Sequence, residues 1–274
     1  MDADLNTDFE TLRVTVDAGV AELALNRPDR ANSLSRPMWE ELRAALRALD
    51  AEPAVRVVVI SGTGNHFCAG IDLGMLGTLA PDGQEPGRAA ETLRRTILDL
   101  QDVLTWLERC RVPVIVAVHG MCVGAGLDLA VAADLRYASA DARFLLKEVD
   151  LGLAADVGVL QRLPRIVGEG VARELAYTGR AVSGAEAAEL RLVNRCYDTP
   201  EELRKGVLEL ARELAEKSPL AMRGTKHAIT YARDHSVADG LDQIATWNAA
   251  TLLSADLDEA VAAFKEKRPA RYAD

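Results

Sequence analysis

The apolar positions along the chain change rhythm several times, and each change marks an element. TLRVTV and VAELAL alternate in part on either side of Asp17-Ala18-Gly19, which predicts a hairpin. Residues 36–50 put Met38, Leu42, Ala45, Leu46 and Leu49 on one helical face, with Ser35 and Pro37 as start signals. VRVVVISG (55–62) and PVIVAVHG (113–120) are unbroken β-branched runs ending in glycine, the pattern of strands buried on both faces. Between them, residues 88–110 keep Leu93, Ile97, Leu100, Leu104 and Leu107 in helical register, and another helix opens near Gly124. Strand, helix, strand, helix is a crossover pattern, so the expected class is α/β. Beyond about residue 157 the strand signals stop, and helices follow over 200–217, 219–234, 237–253 and 256–267. The predicted organisation is an α/β core over 1–196 and a helical region over 197–274, with no low-complexity linker and no obvious repeat.

Composition narrows the function classes. The 274 residues suffice for a full core, and 49% apolar with 27% charged is ordinary for a globular protein. A net charge of −10 argues against nucleic acid or an anionic membrane as partner. No apolar run approaches a membrane span, and MDADLNTDFE lacks the basic start and apolar stretch of a secretion signal. RPARYAD carries no recognisable peroxisomal or reticulum address. Cys68, Cys110, Cys122 and Cys196 have no paired spacing, as expected of reduced thiols in a cytoplasmic protein. His66 and Cys68 are not followed by a second ligand pair, so no metal is expected.

Two strands run into glycine-bearing turns, GTGNHFCAGIDL (62–73) and HGMCVGAGLDLA (119–130). The second opens a helix, whose first amides are free at the positive end of the macrodipole and can hold phosphate or a developing oxyanion. Neither turn has dinucleotide or P-loop spacing. AGID (69–72) followed by GAGLDLAVAAD (124–134) resembles the paired oxyanion segments of the crotonase, or enoyl-CoA hydratase/isomerase, superfamily. NRPDRANSLS (26–35), SPLAMRGTKHAI (218–229) and DEAVAAFKEKRPARY (258–272) extend that resemblance over nearly the whole chain. It implies a spiral of ββα units, a carboxyl-terminal helical extension that mediates trimerisation, and assembly as a homotrimer or a homohexamer of two trimers. It also implies an oxyanion hole from the amides of Ile71 and Ala125, the latter standing where family members commonly carry glycine.

Three acids need weighing. Asp128 falls in the first turn of the helix near Gly124, where a carboxylate stabilises by about 0.3–1 kcal/mol whatever else it does. Glu148 ends the strand-like RFLLKEV, and Asp156 can cap a helix running through VGVLQRLPRI. Each has a structural explanation by itself. Within the superfamily, the positions matching Asp128 and Glu148 hold the catalytic glutamates of hydratases, and KEVDLGLAADVGVLQRLP resembles the Δ3,5-Δ2,4-dienoyl-CoA isomerases, which carry acids at all three places. The resemblance implies that Glu148 and Asp156 exchange protons with the two ends of a dienoyl-thioester. Asp156 is expected in an apolar pocket, and Asp128 is expected to hydrogen-bond and orient Glu148. Which acid serves which carbon stays open.

For coenzyme A, the resemblance suggests Arg30, Phe264 and Lys267, the last two sometimes across a subunit boundary, with Ala69, Gly70, Ile71, Asp72, Leu73 and Gly126 lining the thioester and pantetheine path. Lys226 reads more simply as a solvated surface charge. Residues 74–95, with the Pro81-Asp82-Gly83 turn, are expected to shape the acyl pocket and to be mobile. No cofactor is needed, since coenzyme A is part of the substrate. Two other readings remain: a 2-enoyl-CoA hydratase in which Asp156 is incidental, and a catalytically silent acyl-CoA-binding protein.

Overall fold

The computed structural model describes residues 9–76, 83 and 85–273. Its strands are β1 (Leu12–Asp17), β2 (Val20–Leu25), β3 (Val57–Gly62), β4 (Val114–Val118), β5 (Met121–Val123), β6 (Leu135–Ser139), β7 (Arg143–Leu145), β8 (Val182–Ser183) and β9 (Arg195–Tyr197). The helices of the first half are α1 (Arg36–Ala51), α2 (Leu73–Leu76), α3 (Pro86–Arg109) and α4 (Ala125–Ala132). Then come α5 (Val159–Val167), α6 (Glu169–Thr178), α7 (Gly184–Glu189), α8 (Pro200–Ala215), α9 (Pro219–Ala232), α10 (Val237–Thr251) and α11 (Ala255–Glu266). A six-stranded sheet has the order β1-β2-β3-β4-β6-β9, and a three-stranded sheet the order β5-β7-β8. β1 and β2 form the predicted antiparallel hairpin; every later pairing in the large sheet is parallel.

The unbroken apolar runs are explained by what lies on either face. Val58 and Ile60 of β3, with Val114, Val116 and Val118 of β4, point into the main core with α1, α3 and α4. Val57, Val59, Ile115 and Ala117 point the other way, against Leu203, Val207, Ala211 and Ala215 of α8. Adjacent residues of one strand therefore feed two cores, so neither position can be polar. The boundary drawn at residue 196 falls inside β9, the last strand before this covering helix. Helix α1 starts where Ser35 Oγ accepts the Met38 amide, and it buries Met38, Trp39, Leu42, Leu46 and Leu49. Each such large side chain contributes about 1.5–3 kcal/mol.

Strands do not stop at residue 157, as the sequence pattern suggested. β8 adds to the small sheet and β9 pairs with β6 at the edge of the large one. With two and three residues they are too short to carry a periodic signal, and existing sheet edges specify them. RFLLKEV also shortens: β7 ends at Leu145, and Glu148 opens a one-turn 3-10 helix, Glu148–Leu151. Of the segment expected to shape the acyl pocket, residues 77–82 and 84 lie outside the described residues. Among the described residues, no helix is long and apolar enough to cross a membrane.

Candidate active site

The two glycine-bearing turns meet beyond the carboxyl ends of β3 and β4. Cys68 pairs with Cys122 in a parallel bridge: Cys68 N–H donates to Met121 at 2.9 Å and Val123 N–H donates back to Cys68 at 2.9 Å. On its other side, the first turn is bonded to NRPDRANSLS. Ala69 N–H donates to the Ala31 carbonyl at 2.9 Å, Leu34 N–H to Gly70 at 2.8 Å, and Asp72 N–H to Leu34 at 3.1 Å. Asn32, fully buried, ties the same loop through Nδ2 to the Thr63 and His66 carbonyls, each at 2.8 Å. Gly70 takes φ +94°, and a Cβ there would stand 2.8 Å from the Val123 carbonyl oxygen, so only glycine lets the segments approach this closely. Ile71 and Ala125 are thus neighbours across the join. Among the described residues, neither of their amides donates to a protein acceptor. Ala125 N–H is free because it opens α4, and Gly126 packs behind it against Cys68.

The three acids come together around this join, from three elements. Asp128 is fully buried on α4, Glu148 is half-buried at the start of its 3-10 turn, and Asp156 lies just before α5. Burial, with repulsion from Glu148 and Asp156, pushes the Asp128 carboxyl up to about 7, although the Val159 amide works against it. Burial also raises Glu148, helped by the charge of Asp156, and raises Asp156 itself. Three carboxyls whose affinity for protons is raised, close enough to feel one another, titrate as a coupled group. Gly124, at φ +49°, leaves room for Glu148, whose Oε1 would lie 2.8 Å from a Cβ at that position.

Two expectations about these acids are corrected. Asp128 does not hydrogen-bond Glu148: its Oδ1 accepts the Val159 amide at 2.5 Å, while Asp128 Oδ2 and Glu148 Oε2 are buried without partners. Asp156 is neither the cap of α5 nor enclosed in an apolar pocket. The cap position is Gly158, the free amide at the start of α5 is satisfied by distant Asp128, and Asp156 is exposed between buried Ala155 and Val157. An aspartate three residues before a helix suggests a local cap; only the fold could bring a competing carboxylate from α4.

The family described as enoyl-CoA hydratase/isomerase matches residues 15–274. The chain belongs to that family. It is 48% identical over 268 residues to the peroxisomal Delta(3,5)-Delta(2,4)-dienoyl-CoA isomerase of Arabidopsis thaliana, covering 97% of this chain and 96% of that protein. Against the mitochondrial Delta(3,5)-Delta(2,4)-dienoyl-CoA isomerase of Homo sapiens the identity is 42% over 264 residues, with 95% and 80% covered. Among solved structures, the enoyl-CoA hydratase of Bacillus anthracis is similar with a TM-score of 0.88 at 33% identity, covering 96% of this chain and 99% of that one. The crotonase-type α/β fold expected from the sequence is therefore the fold of this enoyl-CoA hydratase/isomerase family member. The expectation of a cytoplasmic protein is overturned, because the dienoyl-CoA isomerases it matches are named as peroxisomal and mitochondrial. Free cysteines fit any reducing compartment and do not separate the cytosol from an organelle.

The candidate coenzyme A residues of this family member divide. Ala69 and Gly70 are held in the join, and Leu73 is 67% exposed at the start of α2. Asp72 is engaged by Arg27 at 3.0 Å, which holds its carboxyl below the usual range. Arg27 went unremarked in the sequence, where nothing distinguishes it from Arg30 two residues beyond the proline. Arg30 is exposed, 3.8 Å from Asp29. Phe264 is 87% exposed and Lys267 caps the end of α11 in the left-handed region. Tyr272, a few residues further on, is held through its carbonyl by Arg56 at the amino end of β3. Lys226 is not a surface charge. It is 8% exposed, and its Nζ donates to the Leu107 and Val112 carbonyls and to Asp134 at 2.7–2.9 Å.

Proposed function

We propose that this chain is an acyl-CoA double-bond isomerase that converts a 3,5-dienoyl-CoA into the 2,4-dienoyl-CoA. The observation that carries the reading is the convergence of Asp128, Glu148 and Asp156 beside the two unengaged amides of Ile71 and Ala125. Relatives named for this reaction, at 42% and 48% identity, support it. A carboxylate takes a proton from C2; the electron pair moves through the diene and places negative charge on the thioester oxygen. The two amides receive that charge, each such donor contributing about 2.7–4 kcal/mol. A second carboxyl delivers a proton to C6, so that the double bonds stand at C2 and C4. The base gains one proton and the acid loses one, and the bulk solvent resets both. Glu148 is assigned to C2 and Asp156 to C6, which two separate groups reach more readily than one.

Asp128 keeps a proton or a charge close to Glu148 while holding the start of α5, so it sets the electrostatics of the pair without a bond to it. Glu148 also borders an apolar hollow of about 390 Å³, lined by Leu146, Val149, Leu153, Leu160 and Tyr177, that suits a hydrocarbon chain. The chemistry needs no metal or redox group, and coenzyme A enters only as part of the substrate. Val237, Leu241, Leu253 and Phe264 expose apolar surface on and beside α10 and α11, which supports assembly into a trimer or a hexamer of two trimers.

One observation favours a second reading, a 2-enoyl-CoA hydratase: Asp156 is the most exposed of the three acids, and Asp128 with Glu148 could activate a water without it. An ultraviolet spectrum over time separates the two. With a 3,5-dienoyl-CoA, growth of the conjugated 2,4-dienoyl-thioester band that disappears in Asp156→Asn is the expected result. No growth, together with loss of the enoyl band from a 2-enoyl-CoA, establishes the hydratase instead.

A further inference from the structure

Asp156 stands in a stretch, residues 154–158, that has no regular structure of its own. Without a ladder or a helix to fix its backbone, the position of its carboxyl depends on what the side chains around it hold. Three elements supply ties. Gln101 on α3 donates Nε2 to the Asp156 carbonyl at 2.5 Å. Arg162 on α5 donates Nη1 to the Val157 carbonyl at 3.4 Å. Asp128 on α4 accepts the Val159 amide, as described above.

Arg162 is itself fixed with care. Its Nε and Nη2 meet the two oxygens of Glu108 at 3.0 Å each, a two-point fork, and Nη2 also reaches Thr105 Oγ1 at 3.2 Å. The pair is nearly enclosed, with side chains 14% and 12% exposed. Gly158, at φ +127°, is what admits it: a Cβ there would stand 1.8 Å from Arg162 Nη1. Burying such a pair yields little net stability against apolar packing, because desolvation consumes most of the attraction. What it does deliver is a rigid guanidinium at a defined place beneath the loop. That positive charge also opposes the crowding of negative charge at Asp128.

We infer that Arg162, seated by Glu108 and Thr105 and admitted by Gly158, is a positioning residue for Asp156, with Gln101 as a second, independent tie. The inference rests on the reading of Asp156 as a proton-transfer group. Proton delivery to one carbon of a bound chain demands a near-attack geometry, and a displacement of about 1 Å can cost about 10²-fold in rate. Binding of the nucleotide and thioester, made elsewhere, is left alone. The effect therefore belongs in kcat, with KM unchanged.

The test uses the full-length protein with a 3,5-dienoyl-CoA and compares Arg162→Met, Arg162→Lys, Gln101→Ala and Asp156→Asn, singly and with each of the first three added to Asp156→Asn. Arg162→Met should lower kcat about 10²-fold at constant KM. Arg162→Lys should recover only part of it, since an ammonium cannot fork Glu108. Gln101→Ala removes no charge and leaves the ion pair intact, so it reports on the loop even if Arg162→Met does not fold. Added to Asp156→Asn, Gln101→Ala should not lower the residual rate further, and Arg162→Met should lower it by much less than it does alone, because the tie to the loop acts through the group already removed. Full kcat in both Arg162→Met and Gln101→Ala, or the same proportional loss with and without Asp156, overturns the inference while leaving the isomerase reading intact. Unchanged turnover in Asp156→Asn alone sinks both.

Discussion

Single side chains in this protein do opposite things to stability, and the direction follows from what faces them. The Asp128 carboxyl is raised from an ordinary 3.8 to about 7 by burial first and then by Glu148 and Asp156. The folded state thus binds its proton more tightly than the unfolded chain does. Its contribution is fully favourable below about pH 4 and is lost as pH rises through about 7, where the buried charge costs on the order of 4 kcal/mol. Asp128→Asn keeps an oxygen for the Val159 amide and cannot ionise. It should therefore raise the melting temperature at pH 8 far more than at pH 4, in paired thermal scans, while turnover falls. Lys226 is the reverse case. Its charge is met by Asp134 and two carbonyls, so Lys226→Met takes a donor from the Leu107 and Val112 carbonyls and leaves Asp134 with the Val114 amide alone. A loss of about 1–3 kcal/mol in denaturant unfolding is expected, because two carbonyls and a part-buried carboxylate lose a donor.

At the scale of elements, the site is made by the ends of strands and the beginnings of helices. The amide of Ala125 is free because α4 starts there, after a glycine at φ +49° and ψ −118°. Proline suits the first position of a helix, where the missing N–H has no partner within the helix. Ala125→Pro is therefore expected to leave the melting temperature nearly unchanged and to lower kcat/KM by about 10²–10³, the cost of one oxyanion donor. A fall in stability with unaltered turnover would mean that this amide holds no charge. Far from the site, Ser35→Ala removes the cap of α1. It should cost about 1 kcal/mol in unfolding and nothing in turnover.

On the scale of the whole molecule, the large sheet is closed on both faces by the main core and α8, while the last three helices keep apolar side chains outside. Leu253 is 94% exposed and Val237 80%. A water-facing surface of that kind is buried by another copy in a self-assembling protein. Sedimentation should give a trimer or hexamer, and Leu253→Asp with Val237→Asp should give a smaller species that unfolds at lower temperature. A monomeric wild-type protein would remove the assembly from the proposal.

Local pattern by itself determined the hairpin, α1, the paired strands β3 and β4, and the four helices after residue 200, because each buries a face whose period is written in consecutive residues. It also marked both glycine turns and all three acids, since a residue type at a given place is visible without any fold. Tertiary structure alone decided their relations. β8 and β9 exist because sheet edges were there to receive them. Lys226 is buried because α9 packs it over carbonyls from the end of α3 and the start of β4. Asp156 is not a helix cap because Asp128, 28 positions earlier in the sequence, reaches the same amide first. Arg162 and Gln101 matter to Asp156 only through space. Spacing along a chain records which groups can share a face; which groups share a cavity depends on long-range packing that no short window contains.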